Sequence, residues 1–260
     1  MLEKSLQNQQ IIYCDAHCHL VNCRELNCGQ KPEKWLGAST ILNIEEWTKA
    51  DFDFDLFYTF GIHPQFVCKE NKEEINKNLD FLNNLLQNKK ISAIGETGFD
   101  FFTDQLKSNA TCQEEIFNNQ LQLALQYNIP LVIHCRKANK KLFEYSSMLK
   151  KLPAVLFHSF MGSPVEAKSL INKGIRAYFS FGKQMLNNNK KVIACVKELP
   201  LQNLLLETDA PYQTLKGEDF TKISDIQTIY QAAYKIRNEN ISYVDFCIIL
   251  FENLLYLYHE

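Results

Sequence analysis

Short apolar runs recur along the chain, each followed by a stretch in which apolar residues return every three or four positions. The runs cover residues 11–15, 40–44, 56–61, 91–96, 131–134, 154–158, 177–181 and 204–207. Unbroken apolarity over such lengths suits parallel strands covered on both faces. The intervening pattern predicts helices. Residues 72–88 set Ile75, Leu79, Leu82 and Leu85 on one stripe, and residues 113–127 do the same with Ile116, Gln120, Leu123 and Tyr127, Gln120 being the polar member. Pro130 ends that helix and leads into the fifth strand. Pro164 suits the first turn of a helix that ends near Gly174, and two more helices are expected over residues 223–237 and 243–258.

Strands alternating with helices in this way predict a closed (β/α)8 barrel. The competing arrangement, an open doubly wound sheet, normally carries a glycine-rich phosphate loop after its first strand. Here the first strand runs into Asp15-Ala-His-Cys-His19. One barrel domain over residues 1–260 is the expectation, with residues 1–10 as a polar lead-in. That lead-in lacks the apolar core of a signal peptide, and no run approaches the roughly 20 apolar residues of a membrane span. A cytoplasmic location follows as the expectation.

Composition adds exclusions. The chain holds 9 cysteines, an odd number, which reads as free thiols. The spacing of Cys14, Cys18, Cys23 and Cys28 matches neither standard ferredoxin pattern. A net charge of −2 argues against the broad basic face of a protein that coats duplex DNA. A nucleic-acid substrate would have to meet locally bound cations instead.

The chemistry concentrates in the histidines. There are 6 in the chain, and His17, His19, His134 and His158 stand at the carboxyl ends of predicted strands, as do Glu96 and Asp209. In a barrel those ends share the face where active sites are built. Side chains alternate along a strand, so His17 and His19 present two imidazoles to one ion while Cys18 points away. The same alternation turns Cys135 away from His134. Either His134 or His158 alone would read as a core histidine, but two on successive strands make a second metal site. Glu96, between Gly95 and Gly98, has room to bridge two cations. Closing the barrel brings Asp209 back to His17 and His19, where it can ligate an ion and accept a proton from bound water. Glu207, two positions earlier, is expected behind the ligands. Imidazole and carboxylate donors suit Zn, Mn, Ni or Fe.

Together the blocks Asp15-Ala-His-Cys-His-Leu20, Gly61-Ile-His-Pro64, Ile94-Gly-Glu-Thr-Gly-Phe-Asp100, Ile133-His-Cys-Arg136, Phe157-His-Ser-Phe-Met-Gly162 and Glu207-Thr-Asp-Ala-Pro211 resemble the TatD family of metal-dependent deoxyribonucleases, within the amidohydrolase-like barrels. The resemblance implies hydrolysis of DNA phosphodiester bonds, at single-stranded or frayed ends from the 3′ side, with two divalent ions (Mg, Mn or Zn). It implies that His17, His19 and Asp209 hold one ion, that His134 and His158 hold the other, and that Glu96 spans both. His63 and Arg136 are then expected to contact substrate phosphate or to stand behind the ligands. Neither a membrane nor an obligate protein partner is expected.

The chain also departs from the family pattern. Val21-Asn22 follow the first block where an Asp is common, and Met161 replaces a small hydroxyl residue. The stretch from Gln213 to Asp219 replaces a loop that usually carries Pro, Arg and Asn. Two other readings stay open: hydrolysis of an amide, lactone or phosphotriester on the same scaffold, and a non-enzymatic metal protein. Glycine-flanked Glu96 favours the nuclease over relatives bridged by a carboxylated lysine.

Overall fold

The computed structural model describes residues 11–53 and 56–259. The polar lead-in expected over residues 1–10 lies outside the described residues. Eight parallel strands follow one another in chain order: β1 (Tyr13–Cys18), β2 (Trp35–Ile41), β3 (Phe57–Phe60), β4 (Ala93–Asp100), β5 (Leu131–Arg136), β6 (Val155–Phe157), β7 (Ala177–Phe181) and β8 (Leu204–Leu206). Just beyond β8 the backbone returns to β1. Asp209 N donates to His17 O at 3.0 Å, and His19 N donates to Ala210 O at 2.8 Å. The sheet thereby closes as the expected (β/α)8 barrel.

Helices alternate with the strands, and their buried stripes explain the packing. The helix Lys72–Gln87 buries Ile75, Leu82, Leu85 and Leu86, with Leu79 at the stripe's edge. The helix Pro164–Asn172 begins with a capping box in which Ser163 and Glu166 hold each other's backbone amides. After β8 the helices Ile226–Arg237 and Tyr243–Tyr258 cover the junction of β8 and β1. Tyr230 Oη accepts from Cys14 N at 3.1 Å, and Tyr258 Oη donates to Ala16 O at 2.9 Å. All nine cysteines are free thiols.

Four expectations need correction. The first strand is not residues 11–15 but Tyr13–Cys18, so His17 lies within it. The second strand is not residues 40–44: it begins at Trp35 and stops at Ile41. Ile44 instead opens the helix Ile44–Lys49, because the Asn43 side chain accepts from Glu46 N at 2.8 Å and caps it. The fourth strand passes Glu96 and runs to Asp100, buried at every position. The helix expected over residues 113–127 starts at Ala110 and is rotated from the stripe read in the sequence. It buries Gln113, Ile116, Phe117, Gln120, Leu121 and Ala124, leaving Leu123 and Tyr127 at the edge. Its two buried glutamines form hydrogen bonds that apolar residues could not. Gln120 Oε1 accepts from Ile62 N at 2.8 Å and its Nε2 donates to Thr97 Oγ1 at 2.6 Å. Gln113 grips the backbone of Asp100 in both directions, at 2.9 and 3.1 Å. The carboxyl ends of β3 and β4 are thus held by amide side chains from one helix.

Candidate metal centre

Along β1 the alternation of side chains separates two environments. Cys14 and Ala16 meet the C-terminal helices through their backbones, and Cys18 Sγ lies 3.4 Å from Ala38 O. Asp15 and His17 point the other way, and His19, just past the strand, joins them. Glu96 comes from the middle of β4, His134 from β5, His158 from just past β6, and Asp209 from just past β8. A Cβ at Gly98, where φ is +140°, would overlap the carbonyl oxygen of His134, so glycine lets β4 and β5 close together beside Glu96.

All six expected side chains converge, and the two oxygens of Glu96 face different groups. Glu96 Oε2 lies 3.3 Å from His17 Nε2 and 3.8 Å from His19 Nε2. Asp209 Oδ1 lies 3.6 and 3.4 Å from the same two nitrogens. Glu96 Oε1 turns to His134 Nδ1 at 2.7 Å, His158 Nε2 at 2.9 Å and His63 Nε2 at 3.3 Å. His63 therefore stands directly against Glu96 rather than behind the other residues. Arg136 stands apart, at the end of β5, with its guanidinium 3.5 Å from the centre of the Phe102 ring. Cys135 Sγ lies 3.7 Å from Asn139 Oδ1.

Residues behind this cluster fix its imidazoles. Thr40 Oγ1 meets His17 Nδ1 at 3.1 Å. Asp100 Oδ2 accepts from His134 Nε2 at 3.3 Å and from Gln65 Nε2 at 2.7 Å. Glu207 Oε2 faces His158 Nδ1 at 3.4 Å and accepts from Ser180 Oγ at 2.5 Å. Asp15 takes the Thr208 amide and hydroxyl at 2.9 and 2.6 Å, tying the end of β8 to β1. Glu207 was anticipated in this supporting place. No role for Asp100, Thr40 or Asp15 is read from the sequence alone, although Asp15 opens one of the blocks quoted above and Asp100 closes another.

The donor set fits divalent cations. His17 Nε2, which faces Glu96 and Asp209, is buried and makes no hydrogen bond. The four separations in the first group, 3.3 to 3.8 Å, are long for hydrogen bonds. They approach the edge, about 3.4 Å, of a tetrahedron of donors around an ion at 2.0–2.1 Å. Charge points the same way. Burial would raise the Glu96 carboxyl, but His158, His63 and His17 hold it well below the ordinary carboxylate range. Burial opposes protonation of His158, yet Glu96 and Glu207 lift it well above the usual imidazole value. Burial also works against the Asp209 carboxylate, and the neighbouring His19 imidazole and the charge on His158 keep it low. Buried carboxylates here demand positive charge, which cations supply while releasing imidazole protons. The cleft above opens to solvent between Met161, Tyr212 and Arg136.

Comparison with known proteins agrees with this architecture. The model of the family described as TatD related DNase matches residues 14–259. The metal-dependent hydrolase YabD of Bacillus subtilis (strain 168) is 34% identical over 169 residues, 63% of this chain and 62% of that protein. The 3′-5′ ssDNA/RNA exonuclease TatD of Pantoea ananatis is 34% identical over 158 residues, 59% of this chain and 57% of that protein. The match thus spans less than two thirds of either relative's length. Among solved structures, YJJV, a TatD homologue from Escherichia coli K12, superposes with a TM-score of 0.82 at 23% identity, covering 95% of this chain and 98% of that one. That likeness concerns the fold.

Proposed function

Because the chain belongs to the family of TatD related DNases, we propose that it is a divalent-metal-dependent phosphodiesterase that removes nucleotides from the 3′ side of single-stranded or frayed DNA ends. The reading takes the chain as one working domain. One observation carries it above the others: a single buried carboxylate, Glu96, offers one oxygen to His17 and His19 and the other to His134 and His158. That division suits two ions better than one. The names of the relatives, a metal-dependent hydrolase and an ssDNA/RNA exonuclease, support the reaction class.

On this reading His17, His19, Asp209 and Glu96 would hold one cation, of Mg, Mn or Zn. His134, His158 and Glu96 would hold the other, with His63 beside them. When bound, such cations lower the pKa of water toward about 7 and neutralise charge on an attacked phosphate. Asp209, with one oxygen toward the two histidines, orients the attacking water and takes its proton. His63 and Arg136 meet the phosphate oxygens, Arg136 through its planar fork. Glu207 and Asp100 keep the imidazoles of His158 and His134 in place.

A 3′- or 5′-labelled single-stranded oligonucleotide, incubated with the chelator-treated protein and each metal in turn, tests the proposal. A ladder that grows from one end, disappears with chelator, returns with metal and is absent in Asp209→Asn is the expected result. RNA in a parallel reaction reads sugar preference. No cleavage of either polymer with any metal would sink the nuclease reading and turn attention to small amides and lactones.

A further inference from the structure

The segment after Pro211 sends a side chain back to Asp209. Gln213, at φ +56°, turns its amide nitrogen to Asp209 Oδ2 at 2.8 Å and to Ser159 Oγ at 2.8 Å. Ser159 in turn accepts from Gln184 Nε2 at 2.7 Å, and its backbone amide donates to Glu207 Oε1 at 2.8 Å. The Gln213 amide and the Ser159 hydroxyl together therefore join the residues that follow β6, β7 and β8. The amide oxygen, Oε1, is buried without a partner, against Gly182, where an added Cβ would stand 3.1 Å away. Reversing the amide would set that oxygen against the Asp209 carboxylate, so the nitrogen-inward orientation is the one that satisfies both acceptors.

The loop that carries Gln213 is anchored firmly. Lys183 is buried, and its Nζ lies 2.6 Å from Glu218 Oε2 and 2.6 Å from Asp225 Oδ2. Glu218 Oε2 also accepts from Leu215 N at 2.9 Å. Such a loop places Gln213 as a fixed strut. With Oδ2 pinned by the amide, the Asp209 carboxylate cannot swing, and Oδ1 stays 3.4 and 3.6 Å from His19 and His17.

We propose that Gln213 is a positioning residue: its amide sets the rotation of the Asp209 carboxylate and so prepares the first group of donors for a divalent cation. The inference rests on the reading of Asp209 as a ligand. It belongs to this chain's own sequence, because Gln213 begins the stretch that departs from the family pattern. Neighbours that orient a metal ligand are worth about 10–100-fold in affinity.

The test is Mn(II) binding by calorimetry to the full-length, chelator-treated protein. Gln213→Met keeps the length and the apolar stem but removes the amide. The expected result is a Kd for Mn(II) at least tenfold weaker than wild type, an unchanged melting temperature and, at saturating Mn(II), a lower kcat with unchanged KM. Ser159→Ala, which frees the amide from its second acceptor, is expected to give a smaller loss in the same direction, and decides the matter if the Met variant does not fold. A packing role alone would leave Mn(II) affinity intact in both variants. Wild-type affinity in them, beside a loss in Asp209→Asn, overturns the role of Gln213 and spares Asp209 as a ligand. Wild-type affinity in Asp209→Asn as well overturns both.

Discussion

Two regions of this barrel are buried to the same degree and hold together for opposite reasons. Around β6 and β7, Phe157, Phe160 and Phe179 pack ring on ring, with centroids 4.9 to 6.4 Å apart. Burying them is favourable at roughly 25 cal/mol per Å². Within β7 and just past β6 and β8, Ser180, His158 and Glu207 are just as inaccessible, as are His17, Asp15, Glu96 and Asp100 around them. Burying a charge costs several kcal/mol, offset only when partners or cations complete it. The difference teaches that accessibility alone does not say what a residue does for the fold. The aromatic layer stabilises the barrel, and the polar end leans on that stability to hold charges where chemistry needs them.

Glu96→Gln gives the sharpest break in the comparison. Losing several kcal/mol of charge stabilisation, at 1.36 kcal/mol per tenfold, should lower turnover by about 10³-fold. The metal-free protein should melt no lower than wild type, as calorimetry can check. A large fall in melting temperature would mean that the polar end stabilises the fold after all. Phe179→Ala should do the reverse, costing about 3–5 kcal/mol in urea titration while leaving the rate per folded molecule near wild type. Asp100→Asn weakens the hold on His134, and metal affinity should fall by about 10–100-fold with little change in urea midpoint. Arg136→Ala is expected to be mildest. Its guanidinium sits at the open mouth, so KM for an oligonucleotide should rise by only about fivefold, close to 1 kcal/mol, with kcat unchanged. A drop in kcat instead would move Arg136 inside the reacting group.

Much of the barrel was legible in the chain because both of its signals are local. Apolar runs marked the strands, and the two-residue repeat in His17-Cys18-His19 told which side chains share a face. The errors have equally physical sources. Leu42 and Ile44 drew the second strand too late, although Asn43 followed by Glu46 carries the signature of a helix start. Glu96 drew the fourth strand to an early end, and that hid Asp100. Gln120 read as a blemish on an apolar stripe and Gln113 as no more than the start of its helix, whereas burial of an amide is favourable where backbone groups of a neighbouring strand need partners. Gln213 was noticed only as a departure. Its contact with Asp209 depends on how a loop folds back, and no periodicity encodes that.

The seam between β1 and the residues after β8 has a consequence for biosynthesis. His17 and His19 are synthesised well before Asp209 and Ala210, and their backbone links to those residues must wait for them. Barrel closure and the gathering of the charged donors are therefore one event. A chain cut after Phe181 keeps His17, His19, His134 and His158 but lacks Asp209 and the backbone links that close the barrel, so its donor set stays incomplete.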